Sequence, residues 1–147
     1  FLLYGPDLYE LTEFRDAIEI TIIEVIIKNY DKNASEREKL YKNLEQLKRL
    51  IEKSADIGAF VKNDLEFHHL LGQASCNHLL QKVYEFVLEI YAPTIWNTHR
   101  NQQKGEQSYS VHSQIVDAIK QNNIDIARGA VNRSVYVWAN LQTKKDT

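Results

Sequence analysis

The sequence predicts an all-α protein, an antiparallel bundle of about six helices in one domain. Apolar residues recur at spacings of three and four along most of the 147 residues, which is the period of a helix face. Turn-forming residues such as Asp, Asn, Gly and Pro separate six such stretches, and no two stretches make a credible strand pair. Amphipathic helices joined by short connections are expected to pack antiparallel around one core.

The first helix is predicted from Leu8 to about Lys28, with Asp7 as its candidate N-cap. Its second half, residues 18–27, is apolar on more than one side and rich in β-branched residues, so a buried strand is an alternative for that half. A helix is preferred because the chain offers no second strand for pairing. A helix that is apolar all round is expected to be buried on two faces, which points to a subunit interface as well as a core.

The second and third helices are predicted for residues 36 to about 54 and about 59 to 75. The second has a leucine stripe among many charged residues, which is typical of an amphipathic surface helix, and Asn33 or Ser35 is its candidate cap. The residues Asp56-Ile57-Gly58 interrupt the pattern before the third helix begins.

Asn77 is the candidate cap of a fourth helix, which Pro93 is expected to break or kink. Residues 97–109 are polar and contain Gly105, so they are expected to form a loop or a frayed continuation of that helix. The pair His99-Arg100 lies in this segment with nothing at helical spacing to organise it, so the sequence assigns it no role.

The last two helices are predicted to form a hairpin. The fifth is expected to begin between residues 106 and 110 and to end at 121, and the sixth to run from 124 to about 141 after the Asn122-Asn123 turn. His112 precedes that turn by about ten residues and Ser134 follows it by about eleven, so at 1.5 Å per residue both lie ~16 Å from the turn. The two residues are therefore level with each other.

Composition limits the function classes. With 18 basic and 20 acidic residues and no large Lys/Arg cluster, the chain is not expected to grip DNA or RNA by itself. The single cysteine, Cys76, excludes an internal disulfide and suits a reducing cytoplasm. The sequence contains no run of 18 apolar residues, so it does not predict a membrane span. The absence of methionine suggests a fragment of a longer protein, with residues 1–7 as a linker remnant and 8–147 as one helical domain.

The third helix carries the candidate chemistry. Asp64 and His68 are four positions apart, which places them on one helix face with ~6 Å of rise between them. A carboxylate and an imidazole so placed can hold one metal ion or one polar ligand. Apolar neighbours such as Phe67 put the pair beside a hydrophobic interior, where unpartnered ionisable groups cost several kcal/mol. His112 becomes the third member if the hairpin packs on this helix, although a lone histidine is more often a satisfied core residue.

Arg15 and Glu19 lie one turn apart on the first helix, beside apolar neighbours. An intrahelical ion pair is the simpler interpretation, and an arginine that contacts a ligand is the alternative. His69 and His78 fall on other helix faces and are expected to face solvent.

Four segments share their order and spacing with a known family. They are Leu11-Thr-Glu-Phe-Arg15-Asp-Ala-Ile-Glu19; Asp64-x3-His68 followed by Leu70-Leu71-x2-Ala74-Ser75-x-Asn77-x2-Leu80; His112-x2-Ile115-Val-Asp-Ala118-Ile119; and Ala127-x2-Ala130-Val131. Together they resemble the C-terminal effector-binding and dimerisation (FCD) domain of the FadR subfamily of GntR-type bacterial transcription regulators. The resemblance covers essentially the whole chain, whereas Asp-x3-His alone would be a weak signal.

The resemblance implies an all-helical domain without its N-terminal, DNA-binding winged helix-turn-helix. In many relatives one Asp and three His hold a divalent metal, and a small organic acid completes its coordination. The matching positions are Asp64, His68 and His112, but the third histidine position, 22 residues after His112, is Ser134. Two nitrogens and one oxygen still suit zinc, nickel, manganese or iron, with weaker binding expected because serine is a poor ligand. Without a metal, Arg15 and protonated histidines could still hold an anion. No organic cofactor is expected.

The leading hypothesis is a cytoplasmic homodimeric sensor rather than an enzyme. A small carboxylate effector would change how two copies are held, and so control DNA binding by the missing N-terminal domain. One alternative is a metal-dependent hydrolase or oxygenase on the same two-His, one-carboxylate set, although Glu66 lies on roughly the opposite side of the helix from Asp64 and offers no evident base. The other is a structural dimerisation bundle in which the polar cluster is incidental.

Overall fold

The computed structural model describes residues 7–101 and 105–142, and within these ranges the chain forms six α-helices and no strand. The predicted all-α class is confirmed. The linker assigned to residues 1–7 lies outside the described residues except for Asp7. The helices are α1 (Leu8–Lys28), α2 (Ala34–Glu52), α3 (Ile57–Ala74), α4 (His78–Asn101), α5 (Glu106–Lys120) and α6 (Ile124–Gln142).

The α1 segment is helical along its whole length, including residues 18–27, for which a strand was the alternative. Asp7 caps it as predicted, because its Oδ1 accepts a hydrogen bond from the Tyr9 N–H over 3.1 Å. The second half of α1 buries Ile22, Ile23 and Ile26 in the core, where α1 packs against α3, α5 and α6. Its broad apolar surface is therefore largely covered within this chain.

Asn33 stands at the start of α2 without capping it. Its side-chain Nδ2 donates instead to the carbonyl oxygens of Ile26 and Ala74, over 2.9 and 2.8 Å. Its Oδ1 accepts from Arg37 Nε over 2.6 Å. This one side chain thereby ties the ends of α1 and α3 together.

The α3 helix packs along α2 and α4 and also contacts α1. It begins at Ile57, about two residues earlier than predicted, because the Asp56 side chain caps it by accepting from the Ala59 N–H over 2.9 Å. Asp64 and His68 lie on the buried face of α3, whereas Lys62, Glu66 and His69 on its other face are exposed.

The α4 helix continues through Pro93 to Asn101, so of the two predicted effects of Pro93 the break is wrong, and the kink stays a prediction. Proline removes one helical hydrogen bond, but the ring is exposed while Tyr91 and Ile95, on either side of it, are buried in the core. Burial of Tyr91 and Ile95 therefore outweighs the tendency of Pro93 to end the helix. Residues 97–101 are consequently helical rather than a loop, and His99 lies on the buried side of α4.

The α5 and α6 helices form the predicted hairpin, and they pack on α1, α2 and α4. Helix α5 begins at Glu106, within the predicted window, after Gly105 with φ of +79°. A Cβ at Gly105 would lie 2.6 Å from a Phe60 ring carbon, so both the turn and the contact require glycine. The hairpin brings His112 and Ser134 into the interior.

The outer face of α4 is apolar. Leu79, Val83 and Phe86 are 76%, 43% and 65% exposed and lie at spacings of four and three. Among the described helices, none combines the length and the apolar content that crossing a bilayer would need.

Candidate metal centre

Asp64 and His68 meet on one face of α3, as their spacing predicts. Asp64 Oδ1 lies 3.1 Å from His68 Nε2, and the two residues are only 4% and 1% exposed. The Oδ1 atom has no hydrogen-bond partner among the described residues. A buried carboxylate oxygen without a hydrogen-bond partner is costly, and a bound cation would offset that cost.

His112 joins this pair from α5. Its Nε2 lies 3.6 Å from Asp64 Oδ1, and its ring stacks on Phe67 with 3.9 Å between ring centroids and an angle of 7°. The structure thus brings together the three side chains that the sequence analysis selected. Their role as metal ligands stays a prediction.

The three candidate ligand atoms fit a divalent cation. One nitrogen from each of His68 and His112 and one oxygen from Asp64 all lie within 4.8 Å of one another. Ligands ~2.1 Å from a tetrahedral ion are ~3.4 Å apart, and the separations of 3.1 and 3.6 Å bracket this value. Two imidazoles and one carboxylate suit zinc, nickel, manganese or iron with positions left open for other ligands.

The protonation states in the cluster favour a cation. Burial would raise the pKa of Asp64, but its contacts with His68 and His99 hold that pKa well below its usual range. Burial lowers the pKa of His112 to about 3, which leaves a neutral ring at pH 7 with a lone pair for a metal. Burial also opposes charge on His68, yet Asp64 and Glu19 raise its pKa, so a proton and a metal ion compete for this ring.

Arg15 lies beside the cluster and forms the ion pair that was the simpler interpretation of the sequence, while contact of Arg15 with a ligand stays a prediction. Its Nε is 3.3 Å from Glu19 Oε1, which is the expected ion pair, and its Nη2 is 3.3 Å from His68 Nε2. The guanidinium also packs over the rings of Trp138 and Tyr91, at 4.6 and 5.1 Å from their centroids. Its Nη1 is buried and has no hydrogen-bond partner among the described residues. Arg15 therefore retains a donor for a further anion.

A small cavity of about 20 Å³ lies against these groups. It has room for one water molecule or an ion, but not for an organic acid. Ser134 lines it, level with His112 as the hairpin geometry predicts. The lining residues are Arg15, Asp64, His68, Ile95, Thr98, Gln107, Ser108, Val111, His112, Ser134, Val137, Trp138 and Leu141.

His99 is a member of the site that the sequence analysis missed. Its Nε2 lies within hydrogen-bond distance of Asp64 Oδ2, at 2.7 Å, and its ring stacks on Phe60 with 6.0 Å between centroids. The contact fixes the carboxylate so that Oδ1 faces the cavity. The sequence could have indicated His99 only if the α4 helix had been predicted to continue past Pro93.

The remaining polar residues considered from the sequence lie outside the cluster. His69 and His78 are exposed, as predicted. Glu66 is exposed as well, and it does not line the cavity. Arg133 is exposed and donates to Gln114 Oε1 over 2.7 Å.

Buried carboxylate and imidazole groups around an interior cavity of a helical bundle, next to a buried arginine, are typical of ligand-binding domains. Comparison with family models identifies the family: the FCD domain model matches residues 10–135, and the chain belongs to that family. The FCD domain is the C-terminal effector domain of GntR-type transcription regulators. Comparison with curated proteins finds no significant match. Membership of the FadR subfamily stays a prediction.

Proposed function

We propose that this domain is the ligand-sensing module of a GntR-type transcription regulator of the FadR subfamily. It binds a divalent metal through Asp64, His68 and His112, and a small carboxylate through the metal and Arg15. Effector binding controls DNA binding by an N-terminal domain outside this chain. The observation that carries the proposal is the buried, unpartnered Asp64 Oδ1 next to two imidazole nitrogens.

Charge balance supports binding of a cation followed by an anion. With His68 and His112 neutral, as they must be to bind a metal, the buried charged side chains Arg15, Glu19 and Asp64 sum to −1. A divalent cation changes this sum to +1, and a monocarboxylate returns it to zero. Because an uncompensated buried charge costs several kcal/mol, each ion favours the binding of the other.

Because the cavity is small, binding of an organic acid requires the surrounding helices to move. Since the present space is about 20 Å³, an organic acid enters only if the surrounding helices separate. Cavity-lining residues come from α1, α3, α4, α5 and α6, so such a separation changes the arrangement of the bundle. Shifts of one or two ångströms, with coupling free energies of about 1–3 kcal/mol, are enough for regulation.

A second copy of this domain is the proposed protein partner. The apolar surface of α1 is largely used inside the chain, whereas Leu79, Val83 and Phe86 leave an apolar face of α4 exposed. Burial of this face in a homodimer would remove it from water. Sedimentation should show a dimer that Phe86→Glu converts to a monomer, while Ile126→Glu, at an exposed position on α6, leaves the dimer unchanged. A monomeric wild-type protein would contradict this part of the proposal.

Zinc titration calorimetry on chelator-treated protein tests the metal site. We expect one site per chain, with binding lost in His112→Ala and retained in His69→Ala, which removes an exposed imidazole from α3. Equal zinc affinity in the two variants would contradict the site.

The effector is tested separately by the thermal midpoint. A panel of sugar acids and hydroxy acids should include compounds that raise the midpoint, and zinc should enlarge the increase. Arg15→Gln should abolish the carboxylate response. No response to any acid, with or without zinc, would contradict the sensor role.

A further inference from the structure

Behind His68, on the ring edge opposite the metal position, lies a hydrogen-bonded chain that the proposed function does not use. His68 Nδ1 is 2.9 Å from Tyr84 Oη, and the Tyr84 hydroxyl donates to Glu19 Oε1 over 2.8 Å. Glu19 Oε1 also lies 3.1 Å from His68 Nδ1. The three residues are at most 3% exposed, so water does not compete for these contacts.

The chemistry of the groups sets the direction of each hydrogen bond. Glu19 Oε1 lies 3.3 Å from the Arg15 guanidinium, and a carboxylate paired in this way only accepts hydrogen bonds. The Tyr84 hydroxyl therefore donates its hydrogen bond to Glu19 Oε1. The Tyr84 oxygen can then only accept from His68, which requires a proton on Nδ1.

The contact with Arg15 indicates whether the other ring nitrogen of His68, Nε2, carries a proton. Its Nη2 lies 3.3 Å from His68 Nε2, and a guanidinium group can only donate. The neutral ring therefore accepts at Nε2. The same lone pair is directed toward the cavity, where Asp64 Oδ1 lies 3.1 Å away.

We propose that Glu19 is a positioning residue which, directly and through Tyr84, holds His68 in the Nδ1–H tautomer with the Nε2 lone pair facing the cavity. The inference rests on the metal site proposed above. Histidine ligands of metals commonly donate their other N–H to a carboxylate, and loss of such a contact typically lowers metal affinity by about 10–100-fold. Because Glu19 also pairs with Arg15, one carboxylate orients both the metal-binding imidazole and the anion-binding guanidinium.

Nitrogen NMR of the His68 ring combined with zinc titration tests this role. In zinc-loaded wild-type protein we expect a protonated Nδ1 and zinc on Nε2. Glu19→Gln should lower zinc affinity by about 10–100-fold and give a mixture of tautomers. Tyr84→Phe retains the direct contact of His68 with Glu19, so its zinc affinity should fall, but by less than that of Glu19→Gln.

Glu24→Gln is the matched control, because it removes a more exposed carboxylate of α1 that pairs with Arg128 at the surface. It should leave zinc affinity and the His68 tautomer unchanged. Circular dichroism shows whether each variant is folded.

A folded Glu19→Gln protein with wild-type zinc affinity and an unchanged tautomer would overturn the inference. If that variant does not fold, unchanged zinc affinity in Tyr84→Phe would overturn it instead. Failure of wild-type protein to bind zinc would contradict the proposed function alone. The tautomer is then read from metal-free protein at alkaline pH, where a protonated Nε2 would overturn the inference.

Discussion

Two buried polar regions of this bundle differ in how completely their atoms are hydrogen-bonded. At Asn33, which is fully buried, the amide nitrogen donates to two carbonyl groups and the amide oxygen accepts from Arg37. These hydrogen bonds join Asn33 to the ends of α1 and α3 and to the Arg37 side chain of α2. The region is neutral except for Arg37, and its polar atoms are used to hold helices together.

The cluster around Asp64 is equally buried but incompletely paired. Among the described residues, one atom of each of four side chains lacks a hydrogen-bond partner: Asp64 Oδ1, His112 Nδ1, Arg15 Nη1 and Glu19 Oε2. Unpaired buried polar groups are rare in folded proteins because each costs about 1–3 kcal/mol. The comparison teaches that buried polar side chains do not by themselves identify a ligand site. Buried polar atoms that lack hydrogen-bond partners and surround a cavity are the stronger indication.

Substitution of Asp64 should have the largest effect on function. Asp64→Asn removes the negative charge that attracts the cation, so zinc affinity should fall by at least about 100-fold, or roughly 3 kcal/mol. Asp117→Asn, at an exposed position on α5, is the control. Titration calorimetry measures both. If Asp64→Asn bound zinc within a few-fold of wild type, the cluster would be structural, like the Asn33 region.

Substitution of Asn33 should affect stability without affecting the ligand. Asn33→Ala leaves the carbonyl groups of Ile26 and Ala74 without their donor, at a cost of roughly 2–3 kcal/mol. Urea unfolding of the metal-free protein should show this loss, and zinc affinity should stay at the wild-type value. The exposed Asn97→Ala should change neither quantity. A large loss of zinc affinity in Asn33→Ala would show that the two regions are coupled.

Acid should destabilise the cluster rather than the Asn33 region. His112 has a pKa of about 3 in the folded chain and 6.5 as its ordinary value, so below pH 6.5 the unfolded chain takes up a proton that the folded chain does not. The His112 contribution to the free energy of unfolding should therefore fall by about 2 kcal/mol between pH 6.5 and 4.5, and His68, whose folded pKa is raised, offsets part of this loss. Glu19, with a folded pKa of about 2 against 4.5, adds a further loss only below pH 4.5.

Urea unfolding of metal-free His112→Gln checks this assignment. The variant should have a flatter profile between pH 6.5 and 4.5 than the wild type. A profile as steep as that of wild type would mean that another group causes the acid dependence.

Substitution of His99 should have the smallest of these effects on zinc affinity, because His99 contacts Asp64 but is not a proposed metal ligand. His99→Phe retains the ring against Phe60 but removes the contact with Asp64 Oδ2, so zinc affinity should fall about tenfold, or 1.4 kcal/mol. The exposed His69→Phe on α3 serves as the control. A loss as large as that of Asp64→Asn would mean that His99 itself binds the metal.

The sequence predicted the helices well because their signals are local. Periodicity and caps located α1, α5 and α6 to within a residue or two. Pro93 was misjudged because a proline is a strong local signal, while the burial of Tyr91 and Ile95 that keeps α4 continuous depends on the whole bundle.

The site was predictable only where its members follow a spacing rule. Asp64 and His68 share a helix face, and the hairpin geometry placed His112 level with Ser134. Glu19 was visible only as the partner of Arg15, since its contact with His68 joins residues 49 positions apart in sequence. His99 was missed because its position depends on the continuation of α4.

The metal site at Asp64, His68 and His112 is the central claim, and its most direct test is a crystal structure of zinc-loaded protein with diffraction data collected at the zinc absorption edge. The account predicts one anomalous peak per chain, ~2.0–2.2 Å from Asp64 Oδ1 and from the Nε2 atoms of His68 and His112. No peak at this cluster, or a peak only at the exposed His69 or His78, would contradict it.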